Sequence, residues 1–171
     1  QQINTNILQI ENEYYSTIRP KRITEGDERP VDALIERGIQ YVEARCVDIN
    51  PYLPLGIDLP QARFLDTFML YCALEDSPLF AGSDCPETRQ NFQTVVNRGR
   101  TPGLALSRNG QPVSLADWAS ELLERMLPVA ELLDHSYASS EHVAAVQRQH
   151  ALIADPALTP SARLLTDMRD Q

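Results

Sequence analysis

Cysteine and histidine are scarce in this sequence of 171 residues, with three of each. The cysteines are Cys46, Cys72 and Cys85, and no Cys-x-x-Cys pair occurs. An odd number without that spacing argues against a disulfide framework and against a zinc site. His142 and His150 do not share a metal-ligand spacing, so we expect surface histidines. A reducing cytoplasm fits this use of cysteine best.

Positive charge is also in short supply, because 15 Lys and Arg face 24 Asp and Glu for a net charge of −9. A nucleic-acid surface needs the opposite balance, so nucleic acid is excluded as a partner. No apolar run approaches the roughly 20 residues of a membrane span, and no signal-peptide pattern is visible, so no membrane partner is expected. The G-x-G-x-x-G and Walker loops are absent as well. A nucleotide would therefore have to bind through other devices.

What the sequence does contain is a β-branched and apolar stretch that predicts a strand over residues 39–49, between Gly38 and Asn50-Pro51. Alternate side chains of a strand point to opposite faces. One face then carries Ile39, Tyr41, Glu43, Arg45, Val47 and Ile49. The other face has Val42 and Ala44 at its centre and suits the core.

Glu43 and Arg45 are charged residues in the middle of this apolar strand. Such charges are costly to bury unless they pair with each other, with a metal or with a charged ligand. The pattern leaves two interpretations open. Either the two residues form an internal ion pair on a solvated face, or Glu43 holds a cation while Arg45 holds an anion. Nucleotide–metal chemistry needs both of the latter contacts at once.

A second strand is predicted at residues 7–15, where apolar and polar side chains alternate. Its polar face carries Glu11, Glu13 and Tyr15. That face is either solvated or part of a polar cup shared with Glu43 and Arg45.

The basic segment at residues 18–22, with the sequence IRPKR, follows this strand. A proline among three cations cannot occupy a helix interior, so we expect a loop. The loop is either solvated or binds an anion through Arg19 and Arg22, since Arg and Lys are the usual phosphate donors.

Helical periodicity dominates the rest of the chain. A short helix is expected at residues 31–37, and longer ones at residues 58–76, 83–99, 114–134 and 141–154 and from Thr159-Pro160 onward. In the first long helix, Phe68, Met69 and Cys72 belong to an apolar stripe that we expect in the core. The residues thus predict an α+β fold, with the two strands in one antiparallel sheet and at least four helices after residue 58.

Several segments are similar to a known enzyme family. LQIENEYY at residues 8–15, followed by IRPKR, resembles the strand and basic loop of glutamate–cysteine ligase of the proteobacterial type. YVEARCVDINP at residues 41–51 resembles the metal-and-phosphate strand of that family. The similarity continues in order through residues 63–69, 99–104 and 155–163, so it covers nearly the whole chain.

The resemblance implies a glutamine-synthetase-like fold, in which a curved antiparallel sheet cups the active site and several helices pack outside it. It also implies that residues 1–171 form a single region, the C-terminal portion of the ligase catalytic domain. Residues 1–56 would supply the sheet and the site strands, and residues 57–171 the helical part.

The resemblance implies a reaction too. The enzyme would join the γ-carboxylate of L-glutamate to the amine of L-cysteine through a γ-glutamyl phosphate, with ATP as substrate and Mg²⁺ bridging its phosphates. This is the first step of glutathione biosynthesis. Carried over by position, Glu43 would be a magnesium ligand, Arg45 would contact the transferred phosphoryl group and Tyr15 would line the cysteine pocket.

Enzymes of that family are much longer than this chain, so much of the glutamate, metal and nucleotide machinery would lie N-terminal to Gln1. We therefore expect the N-terminal remainder of the same polypeptide as a partner, and little or no activity from the chain alone. The alternative is a non-catalytic acidic helical domain that binds another protein. The many helices after residue 58 and the lack of a self-sufficient catalytic set would fit that alternative.

Overall fold

The computed structural model describes residues 16–77 and 85–170. The chain divides into two compact units, Gln1–Ile49 and Asn50–Gln171. The strand expected at residues 7–15, and Tyr15 with it, lies outside the described residues. Whether it pairs with the strand around Glu43 therefore stays a prediction.

The first unit contains strand β1 (Ile18–Lys21), helix α1 (Pro30–Arg37) and strand β2 (Tyr41–Ala44). Pro30 starts α1, where its missing N–H costs nothing. Gly38 ends the helix at φ 70°, and its N–H donates to the carbonyl of Leu34, so the predicted helix end is confirmed. β1 and β2 pair in antiparallel fashion.

The predicted loop at residues 18–22 is wrong, because its first four residues form β1. Pro20 has no N–H to donate, which suits an edge strand and masks the strand pattern. The strand predicted at residues 39–49 is shorter, since only Tyr41–Ala44 is regular strand. Two further hydrogen bonds extend the pairing, from Gln40 N to Lys21 O at 2.9 Å and from Arg45 N to Thr17 O at 2.8 Å.

The apolar face of this two-stranded ribbon is not part of the core, contrary to the prediction for Val42 and Ala44. Val42 is 40% exposed and Ile18, on the facing strand, is 41% exposed. Within the described part of the unit, the buried apolar residue is Ala33 on α1, and no residue of the ribbon is buried.

The second unit holds five helices and one β-hairpin among its described residues. They are α2 (Leu59–Leu74), α3 (Cys85–Arg98), β3 (Ala105–Arg108), β4 (Gln111–Ser114), α4 (Leu115–Tyr137), α5 (Glu141–Ala154) and α6 (Pro160–Arg169), with a 3₁₀ turn at Pro156–Leu158. The predicted minimum of four helices after residue 58 is confirmed, as is the α+β class. Asp58, Ser114 and Thr159 each accept a hydrogen bond from a first-turn N–H, which is why those helices begin where the sequence indicated.

The core of the second unit lies between α2, α4 and α5. Its buried members are Tyr71, Leu123, Met126, Ala130 and Val146. Phe68 packs against this core as predicted, but Cys72 is exposed and Tyr71 is buried in its place. The buried stripe of α2 is thus turned by one residue, because the partners that cover it come from helices distant in sequence.

The β3–β4 hairpin was not predicted. Asn109 and Gly110 form its two-residue turn, with φ of 55° and 74°. An Asn-Gly pair with both residues at positive φ is the preferred two-residue hairpin turn. Glu87 on α3 fastens this turn by accepting from the backbone N–H of Asn109 at 3.0 Å and of Gly110 at 2.8 Å.

A buried polar centre joins α4 to α5. Asp134, only 6% exposed, accepts from the N–H groups of His142 and Val143 and from the hydroxyl of Ser139. Its Oδ1 lies 2.8 Å from Nδ1 of His142. Burial by itself would raise the pKa of Asp134, but these hydrogen bonds outweigh it and hold the pKa well below its ordinary range. Asp134 therefore caps α5 from the preceding helix.

The surface position expected for the histidines is wrong for His142, which is 5% exposed. Its imidazole stacks on Tyr137 with ring centroids 5.8 Å apart, and its Nδ1 donates to the carboxylate of Asp134.

Within residues 16–77 and 85–170, no helix combines the length and the apolar character needed to cross a bilayer.

Candidate functional site

The register of the β1–β2 ribbon brings its charged side chains onto one face. Arg19 lies opposite Glu43, and Lys21 lies opposite Tyr41. Side chains that are directly opposite in an antiparallel pair share a face, and so do alternate residues along each strand. Arg19, Lys21 and Glu43 therefore project on the same side, and Arg45 follows Glu43 there. We call this set of four residues the charged face.

Glu43 and Arg45 are in direct contact on the charged face. Nε of Arg45 donates to Oε1 of Glu43 at 2.7 Å, and Nη2 donates to Oε2 at 3.2 Å. The side chains are about one-third exposed, at 35% for Glu43 and 32% for Arg45. The predicted adjacency of these two residues is thus confirmed, and water still reaches both groups.

Two further cations surround the Glu43 carboxylate. Nζ of Lys21 lies 3.7 Å from Oε2, and Arg19 stands on the facing strand. The hydrogen bond from Arg45 lowers the pKa of Glu43 below its ordinary value, and the charges of Lys21 and Arg19 act in the same direction. The carboxylate is therefore ionised at neutral pH and is shared between several cations.

Arg22 does not belong to the charged face. It follows β1, and its Nη1 donates to the backbone carbonyl of Arg37 at 2.6 Å, at the end of α1. Arg37 in turn pairs with Glu28 at 2.6 Å. The geometry thus gives Arg22 a structural contact, and of the two arginines predicted to bind an anion only Arg19 accompanies Glu43.

Lys21 was expected only as a member of a basic loop, and the structure places it on the charged face beside Glu43. Once residues 18–21 are recognised as a strand, alternation places Lys21 with Arg19 and turns Pro20 away. The signal was present in the spacing but was hidden by the proline. Tyr41, 50% exposed and opposite Lys21, lies on the same side of the ribbon.

The charged face could supply one ligand to a divalent metal ion. Among the described residues there is no group of three or more His, Cys, Asp or Glu side chains placed to hold a metal by themselves. Mg²⁺, however, is usually held by one or two carboxylates together with water and substrate phosphates. The single carboxylate of Glu43, with cations beside it for phosphate oxygens, fits that partial role. Tyr15 lies outside the described residues, so its place near a substrate stays a prediction.

Comparisons with known proteins agree on one family. The family model described as glutamate-cysteine ligase matches residues 1–95. The chain is 60% identical over 170 residues to the glutamate–cysteine ligase of Azotobacter vinelandii, covering 99% of this chain and 32% of the relative. It is also 60% identical over 169 residues to that of Pseudomonas putida, with the same coverage.

A solved structure is similar as well. A crystal structure of glutamate–cysteine ligase from Francisella tularensis in complex with AMP matches with a TM-score of 0.87 at 36% identity. The match covers 98% of this chain and 33% of that chain. The chain thus spans about a third of the length of the relatives it matches.

Proposed function

The chain belongs to the glutamate–cysteine ligase family, and on that premise we propose that it is a C-terminal portion of an enzyme that joins L-glutamate to L-cysteine using ATP. The reaction would be the first step of glutathione biosynthesis, and the compartment we propose is the cytoplasm. The remaining part of the enzyme would come from the same polypeptide. The single observation that carries the proposal is the 60% identity to glutamate–cysteine ligases over 99% of this chain. The charged face, where Glu43 pairs with Arg45, is the candidate site within it.

The reaction has two steps. An oxygen atom of the glutamate γ-carboxylate attacks the terminal phosphorus atom of ATP, which releases ADP and forms γ-glutamyl phosphate. The cysteine amine then attacks the γ-carbonyl carbon, the C–N bond forms, and phosphate leaves as the amine loses its proton. Mg²⁺, when bound, would neutralise phosphate charge. Tyr15 would line the cysteine pocket.

Glu43 and Arg45 would exchange partners during this reaction. In the structure they satisfy each other through two hydrogen bonds. A hard dication prefers the carboxylate oxygens of Glu43, which would release the guanidinium of Arg45. The planar fork of Arg45 then suits two oxygens of the transferred phosphoryl group. Arg19, on the same face, would add positive charge near the phosphates.

The test uses the complete polypeptide that contains this chain. Glu43→Gln should weaken the dependence of kcat on magnesium, because a neutral amide is a poorer ligand for a dication. Arg45→Lys should lower kcat by roughly 100-fold or more, the scale of losing one donor to a transition state. An ammonium cannot reproduce the two-pronged contact.

Arg29 and Asp32 offer a matched control in the same unit. Nε and Nη2 of Arg29 donate to the two carboxylate oxygens of Asp32, each at 2.8 Å, so the contact has the same form. Arg29→Lys and Asp32→Asn should leave kcat and the magnesium dependence unchanged. If the Glu43 and Arg45 variants only lower the melting temperature, as a structural ion pair would, the proposed site is refuted.

A further inference from the structure

Lys21 is a second cation close to the carboxylate of Glu43 on the charged face. Its Nζ lies 3.7 Å from Oε2 of Glu43, beyond hydrogen-bond distance, and its side chain is 30% exposed. The ammonium group has three donors and no acceptor. It is therefore held near the face by charge attraction while its donors stay accessible to a ligand.

The charged face carries more positive than negative charge. Oε2 of Glu43 lies within 3.7 Å of both Nζ of Lys21 and Nη2 of Arg45, so two cationic groups converge on one oxygen atom. One carboxylate cannot neutralise both of them and Arg19 as well. An anion with several oxygens is the ligand that would satisfy this excess, and a phosphate group has that chemistry.

The neighbouring Arg22 has a different environment, although composition alone made it the equal of Lys21. Its guanidinium is half-buried and donates to the carbonyl of Arg37. Withdrawing it to reach a ligand would leave that carbonyl without this donor. Strand alternation thus places Lys21 on the charged face, whereas Arg22 contacts the carbonyl of Arg37.

We propose that Lys21 binds a phosphate oxygen of the nucleotide beside Arg45, and that Arg22 takes no part in binding. The proposal rests on the proposed function, which places the phosphates at the charged face. Lys21 and Arg45 meet at the same carboxylate oxygen, so a phosphate contacted by Arg45 lies within reach of Lys21. A compact ammonium is a common point charge for phosphate.

The experiment measures binding to the complete polypeptide by isothermal titration calorimetry. The probes are adenylyl imidodiphosphate with Mg²⁺ and, separately, L-glutamate. Lys21→Gln should lower the affinity for the analogue roughly tenfold and leave the affinity for glutamate unchanged. Tenfold is the scale of one hydrogen bond to a charged group. Lys21→Arg should recover most of the affinity, because it keeps the charge. The melting temperature should stay close to that of the wild type, since exposed ion pairs contribute little to stability.

Two control variants make the result specific. Arg22→Gln should lower the melting temperature without changing analogue affinity in the folded protein. Arg29→Gln removes one charge from an exposed pair in the same unit and should change neither quantity. The proposal is overturned if the Lys21→Gln variant binds the analogue with the same affinity as the Arg29→Gln variant. It is also overturned if Lys21→Gln lowers only the affinity for glutamate.

The outcome for the proposed function is read from different variants. If Glu43→Gln and Arg45→Lys alter magnesium dependence and kcat while Lys21→Gln has no effect on binding, only the assignment of Lys21 fails. If none of the three variants alters binding or turnover, the charged face is not the phosphate site and both proposals fail.

Discussion

Replacing Asp134 should test how α4 and α5 are held together. The carboxylate accepts four hydrogen bonds, from the backbone N–H groups of His142 and Val143, the Ser139 hydroxyl and Nδ1 of His142. Asp134→Ala removes all four and leaves the donors of His142, which is 5% exposed, without an acceptor. A buried donor left without its acceptor costs about 1–3 kcal/mol, and His142 alone contributes two such donors, so we expect a loss of about 2–6 kcal/mol. That is a large part of the roughly 5–15 kcal/mol that stabilises a typical protein.

Asp134→Asn should be milder, for a reason visible in the contacts. Oδ1 receives three of the four hydrogen bonds, and Oδ2 receives only the one from the Val143 N–H. An amide that keeps its oxygen at Oδ1 places an NH₂ group against that N–H, so one buried hydrogen bond is lost. We expect a cost of about 1–3 kcal/mol.

Urea unfolding followed by far-ultraviolet circular dichroism measures these differences, provided that the slope of the transition is unchanged. Each kcal/mol should also lower the melting temperature by about 2–4 °C in a chain of this size. Glu131→Gln, an exposed carboxylate on the same helix, is the matched control and should stay within about 0.5 kcal/mol. If Asp134→Ala costs no more than Glu131→Gln, the reasoning about the buried cap is refuted.

Three further predictions concern activity, the hairpin and pH. The chain alone should release no phosphate from ATP in the presence of glutamate, cysteine and magnesium, and turnover like that of a complete ligase would contradict this. Gly110→Ala should destabilise the chain by about 1–2 kcal/mol in urea unfolding, because Gly110 has φ of 74°; unchanged stability would refute the strain. The Glu43 carboxyl should titrate by NMR below the ordinary pKa of Glu, and Arg45→Gln should raise that pKa. The stability that this pair contributes is then present above the ordinary pKa of Glu and is lost as the pH falls through the lowered pKa of Glu43. An NMR titration midpoint of Glu43 that Arg45→Gln leaves unchanged would contradict this prediction.

The starts of three helices and the end of α1 were predicted well from the sequence because their causes are local. Asp58, Ser114 and Thr159 each cap a helix within three residues of their own position, and Gly38 ends α1 through its own φ. Such signals need no knowledge of distant partners.

Features that depend on distant partners were predicted poorly. The buried stripe of α2 centres on Tyr71 instead of Cys72, since α4 and α5 decide which side is covered. His142 is buried because Asp134 reaches it from another helix. The Asn109-Gly110 turn was readable from the sequence and was overlooked.

The pairing of Glu43 with Arg45 could be predicted from the sequence, but the position of Lys21 could not. Alternation placed Glu43 and Arg45 together, and their contact needs only one strand. Placing Lys21 required the pairing partner and the register of β1, which Pro20 disguised. The roles proposed for Glu43 and Arg45 come from the family, whereas that of Lys21 comes from the geometry of the charged face.

The imbalance on the charged face has a consequence for the order in which ligands arrive. Among the described residues, three cations lie on that face with one carboxylate, whereas the whole chain carries a net charge of −9. Under the proposed function, these cations would repel a free dication approaching Glu43 and attract a nucleotide polyanion. By thermodynamic reciprocity, an anion bound to the cations would then raise the affinity of Glu43 for a metal by the same factor as the metal raises the affinity for the anion. If the proposed function holds, the metal–nucleotide complex would bind as one unit in preference to the metal first and the nucleotide second.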